Sequence, residues 1–205
     1  DLERGAVERV AVFCGSSMPK GEEGERLVRA TQELGEEMAR RGVELVFGGG
    51  NIGLMGTVAR AVDGKGGKVL GVIPKALRKR EVSGECVQAH REIVTDTMHE
   101  RKAKMASLSN AFIALPGGFG TFEELLEAVT WTQLGIQNKL IGVLNVDGYY
   151  DSLKAQVDEA VRRGFVSESS AKILVFDANP VRLLGKLLDS DVPSGAQLKL
   201  HWETK

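Results

Sequence analysis

A chain of 205 residues with 42% hydrophobic side chains has material for one sizeable core and falls short of requiring two domains. Its 27 basic and 28 acidic residues leave a formal charge of -1, so no global field draws it onto nucleic acid or an anionic membrane, and any anion binding must be local. Two cysteines, Cys14 and Cys86, without a CxxC and without a His/Cys cluster at metal-ligand spacing, disfavour a bound metal and fit a reducing, cytoplasmic compartment. No apolar run of about 18 residues spans a bilayer, and the first ten residues are too charged for a signal peptide.

In chain order, the β-branched apolar runs VAVFCG, ELVFGG, KVLGVIP, AFIALPGG, KLIGVLN and KILVF each stop at glycine, proline or a polar turn. Segments of helical period separate them. Strands so uniformly apolar are buried on both faces, and their alternation with helices predicts an α/β fold. The expectation is a Rossmann-like, doubly wound parallel sheet flanked by helices. A single nucleotide-binding domain is expected over 1–192, followed by a tail, 193–205, whose Trp202 is expected to be covered in a dimer. The charged, weakly patterned stretch Pro74 to Asp96 reads as a long loop beside the site.

Ligands of open parallel sheets sit outside the carboxyl ends of the strands, so the strand ends are where function is sought. The first ends in Gly15-Ser16-Ser17, offering two hydroxyls. The second ends in GGGNIGLMG, which matches GxGxxG from Gly48 through Gly50 to Gly53, with Gly49 between. The acidic residue expected about 20 positions on is replaced by Lys65, Gly66, Gly67 and Lys68, so a nicotinamide cofactor is weakly supported. The same glycines also read as a tight strand-to-helix turn.

Next comes MHERK, Met98 to Lys102, opening a helix with basic residues at the end its dipole disfavours. That mismatch points to a local anionic partner. Arg101, a planar fork, suits either Glu124 or a substrate anion, whereas His99 reads as structural. The most informative run is PGGFGTFEE, between the strand AFIALP and a helix expected over Thr121 to Leu134. There Phe122, Leu125, Leu126 and Val129 form an apolar face opposite Glu123, Glu127 and Thr130. Gly117, Gly118 and Gly120 let a phosphate approach the backbone before a helix start with free N–H groups. Thr121 and Glu124 form a capping-box pattern, the plain alternative to a functional role for both. Neither glycine loop is a Walker A sequence, so an ATPase is disfavoured.

Taken together in this order, GGGNIGLMG, MHERK and PGGFGTFEE resemble the LOG ("Lonely guy") family, cytokinin riboside 5'-monophosphate phosphoribohydrolases whose members often carry a lysine decarboxylase label. The resemblance runs from about Val10 to Leu188. It implies that Arg101 and Glu124, the last residue of PGGxGTxxE, are the catalytic pair. It also implies that Lys102 and the span Gly117 to Thr121 bind substrate, with the glycine loop holding the 5'-phosphate. Glu81 resembles a family glutamate that contacts the nucleotide, and Thr130 matches the threonine before the family's tryptophan. Ser16, Gly48, Gly49, Gly50, Met98 and Glu123 complete the candidate contacts. No cofactor or metal is implied, and homodimers or hexamers are.

The implied reaction is hydrolysis of the bond from adenine N9 to C1' of ribose 5-phosphate, releasing the base through an oxocarbenium-like state. A broader hydrolase of AMP and related monophosphates and a non-catalytic nucleotide or cofactor carrier stand as alternatives. Lysine decarboxylation is chemically poor, because no residue is nominated for the Schiff base it needs.

Overall fold

A computed structural model describes residues 8–81, 91–200 and 202, with the side chains of residues 80 and 81 left aside. Seven strands form one parallel sheet: β1 Arg9–Phe13, β2 Glu44–Phe47, β3 Val69–Pro74, β4 Arg91–Thr95, β5 Ala111–Ala114, β6 Ile141–Leu144 and β7 Leu174–Asp177. Their order is β4-β3-β2-β1-β5-β6-β7. The chain moves outward from β1 through β4 and then returns to β1's other side, so the order reverses between β1 and β5.

The period of two in each strand supplies two cores at once. Val10 and Val12 of β1 and Ala111 and Ile113 of β5 pack beneath α1 (Gly21–Arg40), α2 (Gly53–Asp63) and α8 (Pro180–Leu188). Their neighbours Ala11, Phe13, Phe112 and Ala114 pack on the opposite face. That face is covered by α4 (Met98–Leu108), α5 (Phe119–Gln133) and α6 (Asp151–Arg162), through Met105, Leu125 and the half-buried Leu153. Each side chain serves one face or the other, which is why the strands read as unbroken apolar runs. Burial of a Leu or Met such as Leu34 or Met38, both 0% exposed, contributes roughly 1.5–3 kcal/mol.

Two expectations need correction. Pro74 to Asp96 is not all loop: α3 (Lys75–Glu81) follows β3, and β4 (REIVT) pairs with it in the register Leu70↔Arg91 to Pro74↔Thr95. β4 is an edge strand with mostly exposed residues, and its charges hide it from an apolar-run criterion while protecting an open edge. The buried face of α5 is also rotated from the expected one. It consists of Thr121, Glu124, Leu125, Ala128 and Thr132, while Leu126 is 48% exposed.

Past residue 193 the chain stays on the domain. Gln197 Nε2 donates to Thr132 O and Gln137 O, Leu198 N to Gln133 O, and Trp202 Nε1 to Leu134 O at 2.9 Å. The Leu198 and Trp202 donors satisfy the carbonyls of Gln133 and Leu134 where α5 ends. Trp202 remains 49% exposed within one chain.

Candidate active site

The sheet's order reversal leaves a cleft of about 650 Å³ at the carboxyl ends of β1, β2 and β5, where a doubly wound sheet opens. Its floor is made by three loops tied to one another. Gly15 N donates to Pro116 O at 3.2 Å, and Leu54 N donates to Gly15 O at 3.1 Å. Gly53, at φ 57, begins α2 so close to the first loop that a Cβ there would lie 2.4 Å from the carbonyl carbon of Ser16. A Cβ on Gly117 would lie 2.2 Å from Thr121 Oγ1 and 2.8 Å from Gly15 N, so only glycine lets the β1 and β5 loops meet.

The N-terminal ends of α1, α2 and α5 all reach this cleft, through Lys20, Leu54 and Gly118. Their dipoles favour a bound anion, although the Leu54 N–H of α2 is already taken by Gly15 O. Gly118 is the N-cap of α5 and provides no side-chain cap. The capping box expected of Thr121 and Glu124 therefore does not form, because the helix starts two residues earlier and turns both side chains inward. A side-chain cap forms instead at α4, where Thr97 Oγ1 accepts from Glu100 N, and Glu100 Oε2 accepts from Asp96 N, the residue before the N-cap.

Arg101 of α4 donates through Nη2 to Glu124 Oε1, joining residues 23 positions apart. Their side chains are 9% and 8% exposed, both line the cleft, and the Arg101 Nε is buried without a protein partner. Burial raises the Glu124 carboxyl, the Arg101 charge and hydrogen bond pull it back, and burial wins: it titrates above its ordinary range. The basic first turn of α4 thus has its anionic partner within the protein.

Lys102, one residue on, points elsewhere. Its ammonium donates to Glu123 Oε1 and, at 2.8 Å, to Glu127 Oε2, clamping α4 to α5. Burial lowers its pKa, but the two carboxylates more than compensate and hold it charged. Ser16, Gly48, Gly117, Gly118, Gly120 and Thr121 line the cleft with the Arg101–Glu124 pair. Gly49, Gly50, Met98, Lys102, Glu123 and Thr130 lie outside that lining; Met98 is 38% exposed, and Thr130 Oγ1 donates to Leu126 O. The backbone of Glu81 ends α3, and its side chain lies outside the described residues.

The cleft also contains residues that strand-end reading does not nominate: Cys14, Lys20, Met55, Asp147 and Tyr149. Asp147 and Tyr149 sit in the 3-10 turn Val146–Gly148 and just after it, at the end of β6. The Asp-Gly pair and tandem tyrosines of VDGYY are the signal that marks this third loop. Among the described residues, no three His, Cys, Asp or Glu side chains are grouped to hold a metal ion, and no helix is long and apolar enough to cross a membrane.

A carboxylate beside a guanidinium, facing a cleft onto which helix N-termini open, can stabilise a positive centre or activate water on a ligand held by its phosphate. The family model described as "Possible lysine decarboxylase" matches residues 55–187. The probable cytokinin riboside 5'-monophosphate phosphoribohydrolase LOGL5 of Oryza sativa subsp. japonica is 51% identical over 197 residues, covering 95% of this chain and 78% of that protein. The Arabidopsis thaliana cytokinin riboside 5'-monophosphate phosphoribohydrolases LOG3 and LOG2 are 47% and 49% identical. The alignments cover 98% and 95% of this chain and 92% and 90% of theirs. In fold alone the chain also resembles the Moco carrier protein of Chlamydomonas reinhardtii, with a TM-score of 0.66 at 20% identity over 90% of this chain and 99% of that one. Identity near one half, sustained over almost the whole sequence, places this chain in the LOG family of cytokinin riboside 5'-monophosphate phosphoribohydrolases.

Proposed function

We propose that this chain hydrolyses the N-glycosidic bond of cytokinin riboside 5'-monophosphates, giving the free base and ribose 5-phosphate. The observation that carries the reading is the buried Arg101–Glu124 pair beside a glycine loop that opens a helix. In this reading the N–H groups of Gly117 to Thr121 hold the 5'-phosphate, which places C1' near Glu124. The carboxylate then stabilises the positive charge that grows on the ribose as the bond to N9 breaks, or draws a proton from the attacking water. Arg101 orients that carboxylate through its Nη2. Atoms balance with one water: its hydroxyl joins C1' and its proton leaves with the base.

The family model's decarboxylase description fits the cleft poorly. A Schiff-base lysine must be deprotonated in an enclosed pocket. The cleft's lysine, Lys20, is exposed at the start of α1, and the buried Lys102 is held charged by two carboxylates. Self-association belongs to the same reading. Phe119, 92% exposed, and Leu126 follow one stripe of α5 beginning at the cleft, which a second copy would cover. A cytoplasmic setting agrees with Cys14 kept as a buried thiol in the cleft wall.

Chromatography of base release from isopentenyladenosine 5'-monophosphate, AMP and isopentenyladenosine tests the proposal. Release of base with ribose 5-phosphate, lost in Arg101→Ala and Glu124→Ala, is expected. No release from any of the three overturns it, and equal rates on all three overturn the phosphate's role.

A further inference from the structure

Three successive carbonyls of the loop between β5 and α5 are each taken by a donor from outside that loop. The phenol of Tyr150 donates to Leu115 O at 2.7 Å, Gly15 N to Pro116 O at 3.2 Å, and the phenol of Tyr149 to Gly117 O at 2.5 Å. The two tyrosine rings meet edge to face, with centroids 5.0 Å apart and planes at 85°. The turn before them is bent for the purpose. Asp147 is the non-glycine residue with positive φ among the described residues, at φ 53, and its carboxylate accepts from Arg26 of α1 at 2.8 Å. A backbone in that region is costly and persists where its surroundings hold it. Here it carries Tyr149 along the cleft wall to the glycine loop.

We propose that Tyr149 is a positioning residue for the anion-binding loop, an inference that rests on the function proposed above. In a trans peptide the Gly118 N–H points opposite to the Gly117 carbonyl, so fixing the oxygen fixes the direction of the donor. Gly117, Gly118 and Gly120 otherwise give the loop wide freedom, which a bound phosphate must remove. The pinned carbonyl also cannot turn its lone pairs toward the anion. The two phenols divide the work by burial. Tyr150, 1% exposed, is part of the core, whereas Tyr149 is 49% exposed, so water can replace its hydroxyl in folding.

Tyr149→Phe removes the hydroxyl and keeps the ring. KM for isopentenyladenosine 5'-monophosphate is expected to rise about three- to tenfold, the value of one net hydrogen bond. The calorimetric Kd for ribose 5-phosphate should rise by the same factor. For unphosphorylated isopentenyladenosine, kcat/KM should change less than about twofold, and Tm should stay within about 2 °C, as for a surface substitution. Unchanged KM and Kd overturn the proposal. So does an equal loss on both substrates together with a lowered Tm, which is the mark of a merely structural residue. Should the wild type release no base, the proposed function fails while ribose 5-phosphate binding still decides the role of Tyr149: a weakened Kd in the variant supports it. An unchanged Kd, or no binding by the wild type, overturns it.

Discussion

Replacing Arg101 by methionine leaves the Glu124 carboxyl, 8% exposed, without its counter-charge. Breaking a buried pair in this way costs about 3–5 kcal/mol. The carboxyl can escape by taking a proton. From an ordinary value of about 4.3, remaining protonated at about pH 7 costs about 2.7 units at 1.36 kcal/mol each, or about 3.7 kcal/mol. At about pH 5.5 the same escape costs about 1.2 units, or about 1.6 kcal/mol. The sign follows from linkage. A carboxyl whose folded pKa is raised contributes stability at low pH that is lost as pH rises toward that value. Arg101→Met is therefore expected to lower Tm by about 8–15 °C near neutrality but only about 3–6 °C at about pH 5.5, at about 2–4 °C per kcal/mol for a chain of this size. Glu124→Leu strands a guanidinium that cannot deprotonate, so its loss should be as large and insensitive to pH. The double variant Arg101→Met/Glu124→Leu removes both charges and should lie within about 1 kcal/mol of wild type. Thermal melts of the four proteins at the two pH values provide the check. An Arg101→Met deficit that is the same at both, or a double variant as unstable as the sum of the singles, refutes the reasoning.

If the ionised Glu124 does the chemistry, kcat should fall as acid is added with a midpoint above the ordinary carboxylate value of about 4.3, because burial raises this group. A kcat profile flat down to about pH 4.3 would count against it. Gly117→Ala should destabilise by about 1–3 kcal/mol, since its Cβ meets Thr121 Oγ1 at 2.2 Å. Gly118→Ala, with nothing within 4 Å and φ -97, should fold within about 0.5 kcal/mol of wild type while raising KM for the monophosphate. Denaturant melts with initial rates separate the two. Lys139, whose ammonium donates to Ala106 O and lies 5.6 Å from the Phe112 ring centroid, has its pKa lowered to about 8 by burial. The folded chain thus sheds this proton above about pH 8 while the unfolded chain keeps it to about 10.4. Stability from this group rises with pH through that window, and Lys139→Met should flatten the rise relative to wild type in urea titrations.

Six of the seven strands are legible because each is mostly buried and so carries an apolar run, interrupted only at strand ends by Arg9, Glu44 and Asp177. β4 is not, for the opposite reason: Arg91 and Glu92 face solvent at the sheet edge, and Arg91 reaches the buried Glu44 at 2.5 Å. The expected face of α5 differs from the buried one because apolar spacing selects Leu126 and passes over Thr121, Glu124 and Thr132, polar side chains that are buried. Within the site, the dipole mismatch of MHERK did point to an anion. Local pattern could not decide whether that anion was Glu124 or a ligand, since the choice depends on how α4 and α5 lie across the sheet. The reach of Tyr149 to Gly117, 32 residues away, is illegible for the same reason.

The balance of charge in the cleft explains why the phosphate matters to the proposed reaction. Arg101 is committed to Glu124, so the pair is close to neutral and offers an anion little net attraction. Lys102 is likewise consumed by Glu123 and Glu127. The lining's lysine, Lys20, is exposed and its charge is screened by water, so attraction for a phosphate falls mainly to the converging helix ends and the glycine N–H groups, whose positive ends are fixed by backbone geometry and need no unpaired buried cation. Such groups hold substrate and transition state about equally at the phosphate, so on their own they lower KM without raising kcat. They accelerate the reaction only by setting the ribose against Glu124, where charge appears as the glycosidic bond breaks. The rigidity of the loop, more than the number of its donors, then governs how well a bound phosphate places the ribose, and the donors that pin its carbonyls from outside act through that loop and not on the reacting atoms.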